Sequence, residues 1–69
     1  MNAAYKLYNQ IIANCNSHNS AIEYLLKSVM TDKNGTLQVG NGYHQVIFND
    51  KSAIMIGVNG IQICDNLSI

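Results

Sequence analysis

Two cysteines and two histidines are the residues of this chain whose side chains suit a transition metal. Cys15 and His18 are separated by two residues, and His44 and Cys64 follow later. Two thiolates and two imidazoles form the ligand set of a structural zinc site. The strand register argued below, however, puts His44 and Cys64 on opposite faces of one sheet. We therefore expect no metal, no cofactor and no disulfide between Cys15 and Cys64, and interpret each cysteine as a small apolar side chain.

Catalysis is not supported by the remaining polar residues. No nucleophile has a neighbouring base and a third group to orient that base. The glycines fall in hairpin positions, so no glycine-rich loop precedes a helix to hold a phosphate. The four acidic residues have local explanations in turns, at strand ends or at a helix start: Glu23, Asp32, Asp50 and Asp65. We expect that the chain is not an enzyme.

The charge balance argues against nucleic acid as a direct ligand. Four lysines balance four acidic residues and there is no arginine, whereas DNA and RNA binding depends on clustered Lys and Arg. Hydrophobic residues make up 48% of the chain and charged residues 12%, which favours folding and association with protein. No signal peptide or membrane-length apolar run is visible, so we expect a cytoplasmic location without membrane contact.

The first half of the chain has the apolar spacing of two helices. Residues 3–15 carry apolar side chains at steps of three and four, with Asn2 as the expected N-cap. Residues 20–31 repeat the pattern, and Ser20 with Glu23 matches a capping box at its start. We expect these helices to present their apolar stripes to whatever sheet follows.

From residue 36 the period changes to two, which predicts four strands at 36–39, 43–48, 53–58 and 61–66. Three turns are expected between them, two of them tight type I′ turns at Asn41-Gly42 and Asn59-Gly60. A three-residue loop, 50–52, is expected between the second and third strands. These turns predict the pairs Val39 with His44, Val46 with Ile56, and Ile56 with Ile63.

This register places nine apolar residues on one face of an antiparallel meander, the face that the helices should cover. They are Leu37, Val39, Val46, Phe48, Ile54, Ile56, Val58, Ile61 and Ile63. We predict a single α+β domain over residues 1–69. Its architecture is ααββββ, with two N-terminal helices packed on one face of a four-stranded sheet in a two-layer arrangement.

The opposite face of the predicted sheet carries no charge, although a solvated face usually carries Lys, Glu, Thr and Ser. Its candidate interaction residues are Thr36, Gln38, Tyr43, Gln45, Ile47, Met55, Gln62 and Cys64. The predicted pairing puts Ile47 beside Met55 in a row with Thr36 and Cys64. A second row is predicted to contain Gln38, Gln45, Gly57 and Gln62, with Tyr43 near the rim. Charge depletion with Met and Tyr is typical of interface cores. The alternative is that Ile47 and Met55 are ordinary scattered exposed residues.

These features predict a small non-catalytic protein-interaction module, expected to form a homodimer through the uncharged sheet face or an unprotected edge strand. One hypothesis is an inhibitor made by a phage or mobile element, acting in the host cytoplasm on a host protein such as a defence nuclease complex, in the manner of anti-CRISPR proteins. A second hypothesis is an accessory or structural subunit of a larger assembly. A nucleic-acid-binding domain is the least favoured of the three.

Overall fold

Two helices are followed by a four-stranded antiparallel sheet, so the predicted α+β fold is confirmed. The computed structural model describes residues 2–31 and 33–65, and residue 66 of the predicted fourth strand lies outside these ranges. The strands are ordered β1-β2-β3-β4, each pairing with its neighbour in sequence. The elements are α1 (Ala3–Asn14), α2 (His18–Thr31), β1 (Gly35–Gly40), β2 (Tyr43–Phe48), β3 (Ala53–Gly57) and β4 (Gly60–Cys64).

The two helices begin at polar caps, one predicted and one not. Asn2 caps α1 as expected, its side-chain oxygen accepting the N–H of Tyr5 at 2.9 Å. The predicted cap of α2 is wrong, because Ser17 caps the helix and Ser20 lies inside its first turn. The N–H of Ser20 donates to the Ser17 hydroxyl at 3.1 Å, and the N–H of Ser17 donates to the Ser20 hydroxyl at 3.1 Å. A second serine thus completes the reciprocal bonds of a capping box, and Glu23 remains exposed.

The predicted register is right for the first hairpin and shifted by two residues in the other two. Val39 lies opposite His44 as expected. Val46, however, lies opposite Ile54 instead of Ile56, and Ile56 lies opposite Ile61. A shift of two residues keeps every side chain on its own face, so the predicted division of the sheet into two faces holds for residues within the strands.

The backbone of the turns explains the shift. Type I′ turns need positive φ at both central residues. In the first hairpin only Gly42 has it, at 85°, so this turn is not type I′, although its register is as predicted. The second loop is formed by residues 49–51, and its third residue, Lys51, has φ 70°. The N–H of Lys51 donates to the carbonyl of Phe48 at 2.9 Å. The third loop has only two residues, Val58 and Asn59, because Gly57 pairs with Gly60; the positive φ, 105°, lies at Gly60, the first residue of β4. Both loops match a type I turn followed by a residue with positive φ. Because the third loop begins at Val58, the third strand ends at Gly57 instead of at residue 58.

The helices cover the central part of one sheet face. Leu25 and Ile11 pack there against fully buried residues of β2 and β3, chiefly Val46 and Ile54. Each such side chain contributes about 1.5–3 kcal/mol through its removal from water. α1 packs mainly on β3 and β4, while α2 packs on β1 and β2.

Two valines predicted for the core are exposed. Val58 is 87% exposed because it lies in the third loop instead of on a strand. Val39 is 62% exposed at the end of edge strand β1, where the helices leave the sheet partly open. On the helices, Ile12 and Met30 also lie outside the buried stripe.

Candidate functional site

The sheet face turned away from the helices is here called the outer face, and it forms a grid of three rows across four strands. The row nearest the first and third turns is Gly40, Tyr43, Gly57 and Gly60. The central row is Gln38, Gln45, Met55 and Gln62. The third row is Thr36, Ile47, Ala53 and Cys64. All eight candidate residues named from the sequence lie on this face.

The two-residue shift in register changes which of these residues are neighbours. Met55 was expected beside Ile47 but lies directly between Gln45 and Gln62. Ile47 instead lies opposite Ala53, which in turn lies opposite Cys64. The predicted continuous apolar row is therefore wrong, and the single methionine is set within a row of glutamines.

Three members of the face were missed by the sequence reasoning, Gly40, Ala53 and Gly60. They have little or no side chain to attract notice. The alternation of positions along β1 and β3 would have placed Gly40 and Ala53 on this face, since each lies two residues from an accepted member. Gly60 can be placed on this face only when the end of the third turn is known.

The outer face is uneven because large and small side chains alternate across it. Ala53 is 2% exposed and Gly57 is buried, although no helix covers this face, because larger neighbours shelter them. Met55 stands between two open hollows. One, of about 200 Å³, lies over Gly57 and Gly60, and the other, of about 120 Å³, lies over Ala53. A complementary partner surface would have a groove for Met55 and a small projection on each side of it, one for each hollow.

The ring of Tyr43 occupies the space that a side chain at Gly40, the residue opposite it, would fill. A Cβ atom built on Gly40 would overlap the Tyr43 ring, so the ring lies directly across the backbone of β1 at that residue. On the other side, a Cβ at Gly57 would meet the carbonyl oxygen of Gly42 at 3.5 Å and the Cβ of Tyr43 at 3.6 Å, but not the Tyr43 ring. The ring therefore leans towards the sheet edge and leaves the hollow over Gly57 open.

No ionisable side chain other than the Tyr43 phenol and the Cys64 thiol lies on the outer face. The described lysines lie on the helices and in the turns: Lys6, Lys27, Lys33 and Lys51. A partner could cover this face without removing any carboxylate or ammonium group from water, a removal that costs several kcal/mol per group when it is unpaired.

The cysteines and histidines are not brought together as a metal site. The Cys15 thiol is half-buried beside the core and lies 3.5 Å from the carbonyl oxygen of Ser20. Cys64 lies on the outer face, and both cysteines are free thiols. Within residues 2–31 and 33–65, no three His, Cys, Asp or Glu side chains are grouped closely enough to hold a metal ion.

The carboxyl of Asp50 has a shifted pKa and a structural role. Hydrogen bonds from the Ser52 hydroxyl, from the N–H of Ala3 and from the N–H of Ser52 hold the pKa of Asp50 below its ordinary value of 3.8. These bonds lie at the N-terminus of α1, on the opposite side of the sheet from the outer face. They stabilise the charged carboxylate and tie the second loop to the helix.

Neither of the two described helices, α1 and α2, is long and apolar enough to cross a membrane. No known protein family matches the sequence, and no curated protein or solved structure is significantly similar to it.

Proposed function

We propose that this protein is a non-catalytic protein-interaction module whose outer face binds another protein surface, and that its first partner is a second copy of the same chain. The observation that supports the proposal is the uncharged outer face. Its twelve positions include three glutamines, a methionine, an isoleucine and a tyrosine, and neither helix covers them.

The chemistry of the outer face suits contact with protein better than exposure to water. Met, Tyr and Ile supply apolar area, and charged residues are depleted, as in the cores of known interfaces. Each glutamine side chain has two N–H donors and a carbonyl acceptor. The amides of Gln38, Gln45 and Gln62 can therefore bond to a partner without needing a charged counterpart.

A second copy of the chain fits the outer face because a two-fold dimer brings identical surfaces together. A charged patch would face its own charge across such an interface, whereas an uncharged patch has no such repulsion. Glutamine is also self-complementary, since its donors can bond to the acceptor of the same residue on the other copy. Charge and hydrogen bonding both favour self-association.

The size of the outer face predicts a weak dimer. Four strands about 4.8 Å apart, with three outward positions about 6.8 Å apart on each, project over roughly 400 Å². Stable interfaces bury about 800 Å² per partner. The edge strands β1 and β4, which contain no Pro or charged residue, can extend the contact. We therefore expect a monomer–dimer equilibrium.

In the other two protein-binding hypotheses, the same outer face binds a different partner. A phage or mobile-element inhibitor would place it on a host protein in the host cytoplasm, and an accessory subunit would place it on a larger assembly. Nucleic acid is disfavoured as a ligand because no lysine lies on the outer face.

Sedimentation velocity over a concentration series tests the dimer. The wild-type chain should shift from monomer to dimer as concentration rises, and Met55→Lys should remain monomeric because it places two ammonium groups in one symmetric contact. Gln62→Lys, at an exposed position beside Met55, provides a second variant with little risk to folding. Ala13→Lys adds the same charge on an exposed position of α1 and should dimerise like the wild type.

Circular dichroism should show that each variant is folded before its mass is interpreted. A wild-type chain that stays monomeric up to millimolar concentration would rule out the second copy as partner. Dimerisation that persists in both folded lysine variants would rule out the outer face.

A further inference from the structure

A second concave surface lies between the two helices, away from the outer face. We call it the helix groove, and its volume is about 430 Å³. α1 contributes residues 3, 6, 7 and 10, and α2 contributes residues 24, 27, 28 and 31. Both sets follow the spacing i, i+3, i+4, i+7 of a single helix face. The groove therefore runs along about two turns of each helix, roughly 10 Å.

The two helices run antiparallel, since only residues 15–17 connect them. At one end of the helix groove, the Tyr24 hydroxyl donates to the side-chain oxygen of Gln10 at 3.4 Å. This bond joins the two walls there. Lys6 lies midway along the lining residues of α1, and Lys27 lies midway along those of α2. The middle of the groove therefore has one lysine on each wall.

The floor of the helix groove is apolar and its walls are basic. Leu7 and Phe48, which are 5% and 9% exposed, form the floor. Lys6 and Lys27 are exposed lining residues whose side-chain ammonium groups make no hydrogen bond or ion pair with any residue in the described parts of the chain. No described Asp or Glu lines the groove. One carboxylate, Asp50, accepts the N–H of Ala3 at the end away from Tyr24.

We propose that the helix groove binds a small amphipathic anion, a carboxylate, sulfonate or phosphate attached to an apolar body. The apolar body covers Leu7 and Phe48, and the anionic group lies between Lys6 and Lys27, away from Asp50. The groove volume falls within the range of about 300–1,000 Å³ that small-molecule sites occupy. Two ammonium groups without a partner among the described residues, one on each wall of a groove with an apolar floor, favour such a ligand over a neutral or cationic one.

Chemical-shift titration of the full chain tests this proposal with defined probes. The anions are 8-anilinonaphthalene-1-sulfonate, with an aromatic body, and decanoate, with an alkyl body. Their uncharged counterparts are N-phenyl-1-naphthylamine and decanol. We expect at least one anion to shift the amide signals of groove residues such as Gln10 and Ser28, and to bind more tightly than its uncharged counterpart. The stronger anion then distinguishes an aromatic metabolite from a lipid-derived ligand.

A charge-matched pair of variants isolates the two lysines. Lys6→Gln with Lys27→Gln should weaken binding of the anion by roughly three- to tenfold, as expected for two solvent-screened charge contacts. Lys33→Gln with Lys51→Gln makes the same change in net charge outside the groove and should leave binding within about twofold. Both double variants should retain the wild-type helical dichroism.

Three results would overturn the proposal. These are shifts confined to the outer face, equal binding of the charged and uncharged probes, and equal loss of affinity in both double variants. Absence of binding by both anions up to millimolar concentration would also reject it. Each of these outcomes is independent of whether the chain dimerises through its outer face.

Discussion

The carboxylate of Asp50 accepts a hydrogen bond of 2.9 Å from the backbone N–H of Ala3, which lies 47 positions earlier in the chain. The adjacent N–H of Ala4 donates to the hydroxyl of Ser52 at 3.1 Å, and this hydroxyl in turn donates to Asp50. The side-chain oxygen of Asn2 accepts a hydrogen bond from the next N–H, that of Tyr5. Three of the amides that a helix leaves without partners at its N-terminus are thereby satisfied. The loop between β2 and β3 thus docks α1 onto the sheet.

Replacing Ser52 should test this docking directly. Ser52 is fully buried, and Ser52→Ala removes the acceptor of the Ala4 N–H without adding another. An unsatisfied buried donor costs about 1–3 kcal/mol, so the free energy of unfolding in urea should fall by that amount. Ser28→Ala removes a half-buried helical hydroxyl and should change the stability by no more than about 0.5 kcal/mol. Equal effects of the two changes would show that the Ser52 hydroxyl does not support the helix.

Stability in acid should depend on Asp50. Its pKa is lowered in the folded state by the Ser52 hydroxyl and by the N–H groups of Ala3 and Ser52, so its contribution is complete above the unfolded value of 3.8. That contribution is lost as the pH falls below 3.8 and through the lower folded pKa. Thermal melts between about pH 2 and 6 should therefore show a smaller acid destabilisation for Asp50→Asn than for the wild type.

Glu23→Gln is the matched control for this experiment, because Glu23 is exposed on α2 and makes none of these bonds. Its melting temperatures should follow those of the wild type across the same pH range. If Asp50→Asn also followed the wild type, the lowered pKa of Asp50 would not contribute to folding stability.

Two glycines of the outer face should respond differently to replacement by alanine. Gly60 has φ 105°, a conformation that side chains disfavour, although a Cβ there would meet nothing within 4 Å. Gly60→Ala should therefore lower the free energy of unfolding by about 1–2 kcal/mol through backbone strain alone. Gly57→Ala should be neutral or slightly stabilising, since its Cβ would make ordinary contacts at 3.5 and 3.6 Å. Thermal unfolding of the two variants decides this, and a larger cost at Gly57 would contradict the turn described here.

The position of the third turn can be checked by a pair of truncations. Ile54 is fully buried in β3, so Ile54→Ala should cost about 2–5 kcal/mol of unfolding free energy. Val58 is 87% exposed in the loop, and Val58→Ala should cost no more than about 0.5 kcal/mol. Chemical denaturation measures both. A cost of several kcal/mol at Val58 would support the register with Val58 on the core face instead.

The turn residues mark the limit of what local sequence rules predict. The Asn41-Gly42 pair correctly located the first loop, but the third loop is residues 58–59 instead of the predicted 59–60, with the left-handed residue after it at Gly60. In the second loop the left-handed residue is Lys51, which has no strong preference for positive φ. Lys51 accepts this conformation in the loop that docks α1 through Asp50 and Ser52. Ser20 and Glu23 likewise matched a capping box, yet Ser17 could form the same bonds one turn earlier.

The sequence by itself determined the order of the elements and which strand residues share a face, because the period of apolar residues distinguishes helix from strand and one side of a sheet from the other. It therefore also determined that the outer face carries no charge. The tertiary structure decided the register of β3 and β4, since a slip of two residues leaves every side chain on its face and is invisible to the pattern. It also decided where Met55 lies and how Lys6 and Lys27 come to line one groove. Those relationships depend on the turn backbone and on how two helices pack, which no local pattern of residues specifies.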